Sequence, residues 1–567
     1  MSKRLRLGRL LRRANPIGAL SSGLRWLSNQ RKLRFGRMDY IWFPLPPNPP
    51  PLPEPRSWLQ QRVRGRAPLS LWEIDKMLTR IADDPRPRGI LLQMGEPALS
   101  LADLQTLRAS ILRFRARGKR VVVYAQSYSL AAYFLASACD EIVLQPGGDL
   151  NTLGLRQRAI FLKDTLESAG IALDVVAISP FKSAFDQLAR ATISDEGRAQ
   201  IDWLLDSRYG MIVDAIAQGR SRDAEAIRAM IDRAPHLDDA ALASGYVDAL
   251  LHEHQLPAHL GCEHLVPLER ARKLLIRKPR RADTARSIAI LPVEGLMTPG
   301  ESAKPPIDLP IPFIGGATAG DRTVVQQVRQ LMKADSVAAV VLFIDSGGGS
   351  AIAAEAMTAA LEQLALTKPL VVYMNGVAAS GGYYIATAGQ WIVAQPGTIT
   401  GSIGVILGKP VTRGLYERFR VNTVDFQRGA NADLFDDSMP FTDAQRGQMR
   451  ASIEHIYGQF IARVGRARGL TTEAVDAVGG GRVWTGEQAR GHRLVDELGD
   501  LHAALAKARA LASLPAEAPV ILWRGKGAPL PPAAARQAAL GDALARARAL
   551  LRGRALLLLD VWWTDGA

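Results

Sequence analysis

An internal repeat restricts the folds open to this chain. Residues 131–147 read AAYFLASACDEIVLQPG and residues 381–397 read GGYYIATAGQWIVAQPG, and the two align without a gap at an offset of 250. Gly154 falls on Gly404 at the same offset. A repeat of this length indicates two domains of one ancestry.

Each half of the repeat alternates short apolar segments with amphipathic helical patterns. The apolar segments at 89–92 and 339–342 correspond, and helices are predicted at 101–117 and 351–365. Such alternation is typical of parallel strands joined by crossover helices. The predicted fold class is therefore α/β, with two tandem related domains built on parallel sheets.

Composition divides the 567 residues further. The proline-rich segment FPLPPNPPPLP at 43–53 is a stiff spacer and indicates a domain boundary. We predict five parts, namely a basic and proline-rich arm at 1–56, an N-terminal α/β domain at 57–270, a linker at 271–286, a C-terminal α/β domain at 287–513 and a tail at 514–567.

The net charge of +16 is concentrated near the start of the sequence. The first 40 residues hold eleven Lys or Arg against the single acid Asp39. The pattern favours an anionic membrane surface over nucleic acid, because it lacks interleaved aromatic residues and a recognition helix. No run of 18 apolar residues and no convincing signal peptide occur, so no transmembrane helix is predicted. Two cysteines exclude a disulfide scaffold.

Ser380 is the candidate nucleophile. It lies in NGVAASGGYY at 375–384, between an apolar run that predicts a buried strand and a segment that predicts a helix. A helix N-terminus offers backbone N–H groups and a positive dipole end to a developing oxyanion. An ordinary glycine-rich turn explains this stretch equally well. The first half of the repeat has Leu130 at the same position, so only the second half retains a hydroxyl there.

A glycine loop, IDSGGGS at 344–350, follows the predicted strand and precedes a helix. Its backbone N–H groups are suited to an anion or a polarised carbonyl. A dinucleotide fingerprint would require glycine where Ile352 stands, and the Gly-Lys-Ser or Gly-Lys-Thr of a P-loop is absent. Ser380 is not in an α/β-hydrolase elbow, because residue 378 is alanine. An oxyanion hole is the interpretation that remains.

The base that would activate Ser380 is not evident among the eight histidines, none of which lies within 70 residues of it. A cluster of His252, His254, His259, Cys262 and His264 invites a zinc interpretation, but a solvated His-rich loop is favoured and no metal site is predicted.

Lys182, in ISPFKSAFD, has apolar neighbours that favour a neutral amine. Bringing the pKa of a lysine from about 10.4 to about 7–8 takes roughly 3–5 kcal/mol, which burial can supply. A Ser–Lys dyad is therefore one interpretation, and a surface lysine that extends its charged end into solvent is the other.

Five segments, in order, resemble the long, duplicated form of signal peptide peptidase A, also called protease IV. This is a group of Ser–Lys peptidases with the crotonase and Clp protease fold. The segments are FKSA at 181–184, GD at 320–321 leading into VVLFIDSGGGS at 340–350, VAASGGYY at 377–384, TGSIGV at 400–405 and GRVWTG at 481–486. The lysine in the first half and the serine in the second match the family's own arrangement.

The resemblance implies a role for each matching residue. Ser380 would attack the scissile carbonyl, Lys182 would be the general base, and Ser402 would orient the lysine. The N–H of Gly381 and one N–H from Gly348 or Gly349 would form the oxyanion hole. It also implies two crotonase/Clp-like domains and no cofactor.

The resemblance further implies hydrophobic peptide substrates such as cleaved signal peptides, a homo-oligomer, by resemblance a tetramer, and a place on the periplasmic side of a bacterial inner membrane. Two features depart from the family: Gly347 stands where a proline is usual, and a basic arm stands where long members carry a transmembrane helix. Two alternatives remain at this point, a crotonase-type acyl-CoA enzyme and an inactive membrane-associated scaffold.

Overall fold

The computed structural model describes two compact units. The described residues are 27–34, 36–54, 61–62, 65, 67–276, 286–303 and 316–524, with the backbone alone of 556–558. Those of Met1–Arg156 and Tyr209–Ala285 form the first unit, and those of Gln157–Arg208 and Arg286–Thr564 form the second. The predicted α/β architecture is confirmed, with two mainly parallel sheets. The third sheet, with six strands, is mixed, because three of its five pairings are antiparallel.

A seven-stranded, mainly parallel sheet forms the core of the first unit. The apolar run of Gly89–Gln93 lies inside this sheet and is almost wholly buried, as expected for a strand covered on both faces. The strand order is His236–Leu237, Glu141–Asn151, Arg120–Ser129, Gly89–Gln93, Tyr40–Pro44 and Leu265–Pro267, with Ala249–Leu250 also paired to Glu141–Asn151. The helices include Leu71–Ala82, Leu101–Ala116, Leu130–Ala136, Ala224–Asp232, Asp238–Ala243, Leu256–His259 and Leu268–Leu274.

The second unit holds two sheets. In the eight-stranded sheet the order is Val483–Thr485, Ile399–Gly401, Leu370–Ala379, Val337–Ser346, Ser287–Glu294 and Val520–Leu522, with Trp391–Ala394 paired to Leu370–Ala379 and to Glu497–Leu498. In the six-stranded sheet the order is Thr318–Gly320, Leu296–Thr298, Gly348–Ser350, Leu556–Leu558, Ile406–Val411 and Ala172–Ala177.

Helices of the second unit cover its sheets. They include Lys163–Ser168, Asp186–Ala189, Asp321–Lys333, Ala351–Ala365, Gly381–Ala386, Arg413–Arg418, Asp443–Arg468, Thr472–Val478, Gly486–Gly491 and Leu501–Leu511. A further helix, Asp195–Arg220, begins in the second unit and ends in the first. Within the described part of the chain, none of the helices combines the length and the apolar character needed to cross a membrane.

The internal repeat is visible at the level of single elements. Helices Leu101–Ala116 and Ala351–Ala365 begin 250 residues apart, and strands Arg120–Ser129 and Leu370–Ala379 match at both ends with the same offset. Each of the two helices is capped by a serine whose Oγ accepts a hydrogen bond from a backbone N–H of the first turn.

The structural repeat extends beyond the segment that the sequence alignment covered. The helices Asp195–Arg220 and Asp443–Arg468 are both 26 residues long, at an offset of 248. Their last residues pair with aspartates at the same offset: Arg220 Nη2 lies 2.7 Å from Asp248 Oδ1, and Arg468 Nη2 lies 2.6 Å from Asp496 Oδ1. The two halves therefore share an architecture in detail.

One segment is grouped differently from the predicted domains. Residues Gln157–Arg208 fall within the predicted 57–270 domain, but they belong to the compact unit that contains Ser380. The cause is a long-range ladder: Ala172–Ala177 pairs antiparallel with Ile406–Val411 over six residue pairs. The segment that carries Lys182 thus leaves its own repeat and becomes part of the second unit.

Candidate active site

Ser380 occupies the turn between a strand and a helix, as the sequence predicts. It follows Leu370–Ala379 and precedes Gly381–Ala386, and it is fully buried. Its backbone has φ 54° and ψ −114°, a combination that residues with a side chain rarely adopt. The Ser380 N–H donates to Gly401 O at 2.8 Å. The side chain makes no capping hydrogen bond to the helix, so its hydroxyl is available for another partner.

Ser402 lies beside Ser380 because of strand register. Leu370–Ala379 and Ile399–Gly401 are parallel neighbours, and Ala379 is paired with Gly401. The residue that follows each strand is a serine, so Ser380 and Ser402 lie side by side at the same end of the sheet. Ser402 also has a positive φ, 50°, and its N–H donates to Arg482 O at 2.7 Å.

Lys182 reaches both serines. It comes shortly after strand Ala172–Ala177, and its side chain is 1% exposed. The Lys182 Nζ lies 3.0 Å from Ser380 Oγ, 2.7 Å from Ser402 Oγ and 3.0 Å from Ser402 O. The carbonyl can only accept, so Nζ donates to it. A neutral amine that donates to the Ser402 oxygens retains a lone pair to accept the proton of Ser380.

The glycine loop lies against the start of the helix that follows Ser380. A Cβ built on Gly381 would lie 3.0 Å from Gly348 Cα and 3.4 Å from Gly349 N. The N–H of Gly348 donates to Ser346 Oγ at 3.1 Å, and this hydroxyl donates to Gly295 O at 2.6 Å. Because the Gly348 N–H is engaged within its own loop, Gly349 is the better placed partner of Gly381 for an oxyanion.

The sequence matches a known protein family in both of its repeats. The model of the family described as Peptidase family S49 matches residues 113–261 and again residues 362–515. The chain belongs to peptidase family S49. Both repeats of this S49 peptidase therefore contain a copy of the family domain, and the acyl-CoA enzyme and scaffold alternatives lose their support.

Three named relatives span most of the S49 chain. It is 29% identical to the chloroplastic serine protease SPPA of Arabidopsis thaliana, over 82% of this chain and 69% of the relative. It is 28% identical to Protease 4 of Haemophilus influenzae, over 78% of this chain and 73% of the relative. With Protease 4 of Salmonella typhi the identity is 31%, over 78% of this chain and 72% of the relative. The protein is accordingly a serine peptidase.

Two glycines that the sequence did not single out as site residues hold Lys182 in this S49 site. A Cβ on Gly481, whose φ is 95°, would lie 2.6 Å from Lys182 Cα. A Cβ on Gly404 would lie 3.2 Å from Lys182 Cδ and 2.8 Å from Gly481 N. The main chain at Gly481 therefore packs directly on the lysine backbone. The run of three glycines at 479–481 is the sequence feature that could have indicated this close packing of main chains.

Tyr457 supports this glycine segment from behind. Its hydroxyl accepts from Gly480 N at 3.0 Å and donates to Asp476. Burial raises the pKa of Tyr457 far above its usual value, so the hydroxyl stays protonated. A helix residue more than 70 positions from Ser380 in sequence thereby fixes the loop that fixes Lys182.

A cavity of about 630 Å³ adjoins Lys182. Its walls include the apolar Ile178, Pro180 and Ile193, but also charged side chains such as Asp186 and Arg450. Burial raises the pKa of Asp186 to about 6, with Arg190 acting in the opposite direction. The peptidase thus has a mixed and not a purely apolar cavity on this side of its lysine.

No histidine is among the hydrogen-bond partners of Ser380 that the described residues provide. His259 contacts Glu141, while the rings of His252 and His254 stack with centroids 5.8 Å apart. Within the described ranges, no group of three or more His, Cys, Asp or Glu side chains is arranged to hold a metal ion.

Proposed function

We propose that this protein is a serine endopeptidase in which Ser380 and Lys182 form the catalytic dyad, and that it degrades hydrophobic peptides such as cleaved signal peptides. The observation that carries the proposal is the 3.0 Å separation of Lys182 Nζ and Ser380 Oγ in a buried site. That distance allows direct proton transfer.

The reaction follows from these contacts. Ser380 Oγ attacks the scissile carbonyl carbon while Lys182 Nζ accepts its proton. The tetrahedral oxyanion receives hydrogen bonds from the N–H groups of Gly381 and Gly349. Lys182 then gives the proton to the leaving amine nitrogen, the C–N bond breaks, and the acyl group remains on Ser380. Water, deprotonated by Lys182, releases the acyl group and the proton returns to Ser380.

Ser402 is a positioning residue in this scheme. Its Oγ and its carbonyl oxygen both accept from Lys182 Nζ, so they direct the lone pair of the amine towards Ser380. The substrate class is supported by the name of a further relative, a putative signal peptide peptidase SppA of Enterococcus faecium, which is 31% identical over 30% of this chain.

The dyad is tested by hydrolysis of an apolar fluorogenic peptide. We expect Ser380→Ala and Lys182→Met each to lower kcat at least about 10³-fold, and Ser402→Ala to lower it about 10- to 100-fold. Lys409→Met is the matched control, because Lys409 is also buried but lies over Phe441 and hydrogen-bonds Leu434 O. Full activity in purified, folded Ser380→Ala or Lys182→Met would refute the dyad.

The location of the enzyme is a second part of the proposal. Eleven Lys or Arg in the first 40 residues suit an anionic bilayer, although residues 1–26 lie outside the described part. We expect the full chain to sediment with phosphatidylglycerol vesicles at low salt and not with phosphatidylcholine vesicles. The predicted tetramer is checked by light scattering after gel filtration.

A further inference from the structure

The strand Val483–Thr485 lies at one edge of the eight-stranded sheet, where it pairs with Ile399–Gly401. The outer side of an edge strand has no neighbouring strand to bond its backbone groups. At Val483 these groups bond instead to two side chains of one helix. The Val483 N–H donates to Gln200 Oε1 at 2.9 Å, and the Val483 carbonyl oxygen accepts from Trp203 Nε1 at 2.9 Å. Helix side chains therefore take the place of a further strand.

The spacing of the helix residues explains why they reach the strand together. Three side chains of helix Asp195–Arg220, separated by three and four residues, share one helix face, namely Gln200, Trp203 and Ser207. Ser207 Oγ lies 3.0 Å from Thr485 Oγ1. The ring of Trp203 stacks on that of Trp484, with centroids 5.1 Å apart. The whole length of the strand is thus held by one face of this helix.

The residues just before Val483 contact both partners of the reactive serine. The carbonyl oxygen of Arg482 accepts from the Ser402 N–H at 2.7 Å. Gly481 packs directly on the backbone of Lys182. A displacement of the main chain at Val483 would therefore be passed to the lysine and to the serine that it contacts.

The corresponding strand of the first repeat is more exposed. His236–Leu237 pairs antiparallel with Glu141–Asn151, much as Val483–Thr485 pairs with its own neighbour. Leu237 is 70% exposed, whereas Thr485, 248 residues later, is fully buried. The covered strand thus occurs in the repeat that carries the reactive serine.

We propose that Gln200 is a positioning residue of this peptidase, which sets the places of Lys182 and Ser402 by holding the main chain at Val483. The inference rests on the proposed function, because it assigns a role within the same site. Gln200 is 2% exposed, so removal of its oxygen leaves the Val483 N–H buried and without its acceptor. The main chain has to shift to bond this group again, and a shift of about 1 Å at reacting groups lowers the rate about 100-fold.

The first experiment compares two substitutions of Gln200 in the full chain. Gln200→Met keeps the size of the side chain and removes the amide oxygen. We expect kcat for an apolar fluorogenic peptide to fall about 10- to 100-fold, with KM within about twofold of the wild type. Gln200→Glu keeps an acceptor oxygen in either protonation state and should hold kcat within about threefold of the wild type. Wild-type kcat in folded Gln200→Met, or an equal loss in both variants, would overturn the proposal.

A milder variant decides the question if Gln200→Met does not fold. Trp203→Phe retains an aromatic ring and removes only the donor to the Val483 carbonyl oxygen. We expect kcat to fall about 3- to 10-fold with KM unchanged, because one neutral hydrogen bond is lost. Unchanged kcat in this variant would overturn the proposal.

Gln445→Met is the matched control for a purely structural effect. Gln445 is also buried, and its Oε1 accepts from the Thr442 N–H at 3.1 Å, but this bond caps its own helix, Asp443–Arg468. We expect a lower melting temperature, as in Gln200→Met, with kcat unchanged. A fall in kcat as large as that in Gln200→Met would show that general destabilisation is the cause, and would overturn the positioning role.

The outcomes separate this inference from the proposed function. If Ser380→Ala and Lys182→Met are inactive while Gln200→Met keeps the wild-type kcat, the dyad stands and the positioning role is excluded. If purified Ser380→Ala retains full activity, the proposed function fails and the positioning role fails with it.

Discussion

The two repeats end the same strand in different ways. In the first, Arg120–Ser129 leads into a helix that Ser129 caps with φ −71°, its Oγ accepting from Ala132 N. In the second, Leu370–Ala379 leads into Ser380 at φ 54°, with no capping by its hydroxyl. The turn in the first repeat is relaxed, and the hydroxyl of its serine is hydrogen-bonded within the turn. The other is strained, and its hydroxyl contacts Lys182 instead.

The framework around these two turns is nevertheless shared. Tyr133 OH donates to Tyr246 O at 2.7 Å, and Tyr383 OH donates to Leu494 O at 2.9 Å, in equivalent places of the two repeats. Structural contacts are thus present in both halves, while the strained turn is present in one. The comparison indicates that the shared architecture does not by itself produce the contact between Ser380 and Lys182. That contact requires the backbone conformation of Ser380 and the presence of the lysine.

Moving the hydroxyl from the second repeat to the first tests this comparison most directly. In the Ser380→Ala background, Leu130→Ser restores a hydroxyl at the equivalent position of the first repeat. We expect the loss of at least about 10³-fold in kcat to persist. The turn at position 130 lacks the strained backbone, and Lys182 lies beside position 380 of the second repeat. Peptide hydrolysis measures the result, and recovery to a tenth of the wild-type rate would contradict it.

Gly481→Ala tests how far the lysine depends on its glycine support. The added methyl would lie 2.6 Å from Lys182 Cα, on a backbone with φ 95°. Displacing the lysine by about 1 Å should lower kcat/KM roughly 100-fold. Gly447→Ala, in helix Asp443–Arg468 with no atom within 4 Å of the added carbon, is the control and should leave kcat/KM unchanged. Equal activity in both variants would show that the support is unnecessary.

The equivalent ion pairs of the two repeats, Arg220–Asp248 and Arg468–Asp496, allow their contributions to stability to be compared. We expect Arg220→Met and Arg468→Met each to cost roughly 1–3 kcal/mol of unfolding free energy. Arg468 should cost more, because its pair is less exposed, 9% and 19% against 14% and 33% for the side chains of Arg220 and Asp248. Urea unfolding, with hydrogen exchange in each repeat, gives the two values. The reverse order would argue against equivalent roles.

The smallest effect concerns Asp186, on the segment that leaves the first repeat. Its pKa is raised to about 6 by burial, so its contribution to stability is present below about pH 4 and is lost as pH rises through 6. Asp186→Asn should therefore stabilise the protein by roughly 1–2 kcal/mol at pH 7.5 and by almost nothing at pH 4. Melting temperatures at the two pH values test this, and a larger gain at pH 4 would contradict the sign.

Local patterns were enough to predict the strand, turn and helix around Ser380. The glycine segment that was expected as a loop is in part a short strand, Gly348–Ser350. The α/β class and the family resemblance are both confirmed. The resemblance, and not local pattern, suggested that Lys182 and Ser402 act with Ser380. Their roles stay predictions, although the three side chains lie together in the structure.

Other features could not be read from the sequence, for physical reasons. The pairing of Ala172–Ala177 with Ile406–Val411 is a contact between segments over 200 residues apart, and strand patterns do not specify their partners. The positive φ of Ser380 is imposed by packing and not by residue type. Similarly, the choice of Gly349 over Gly348 depends on the hydroxyl of Ser346, whose direction only coordinates reveal.

The pairing of Ala379 with Gly401 has a consequence for heat tolerance. Ser380 and Ser402 are the residues immediately after this pair, so the distance between them is set by the backbone ladder of two buried parallel strands. Ladders of this kind belong to the last parts of a protein to open. Warming should therefore leave Ser380 and Ser402 in position until the sheet itself melts, and inactivation and loss of the fold then become a single event.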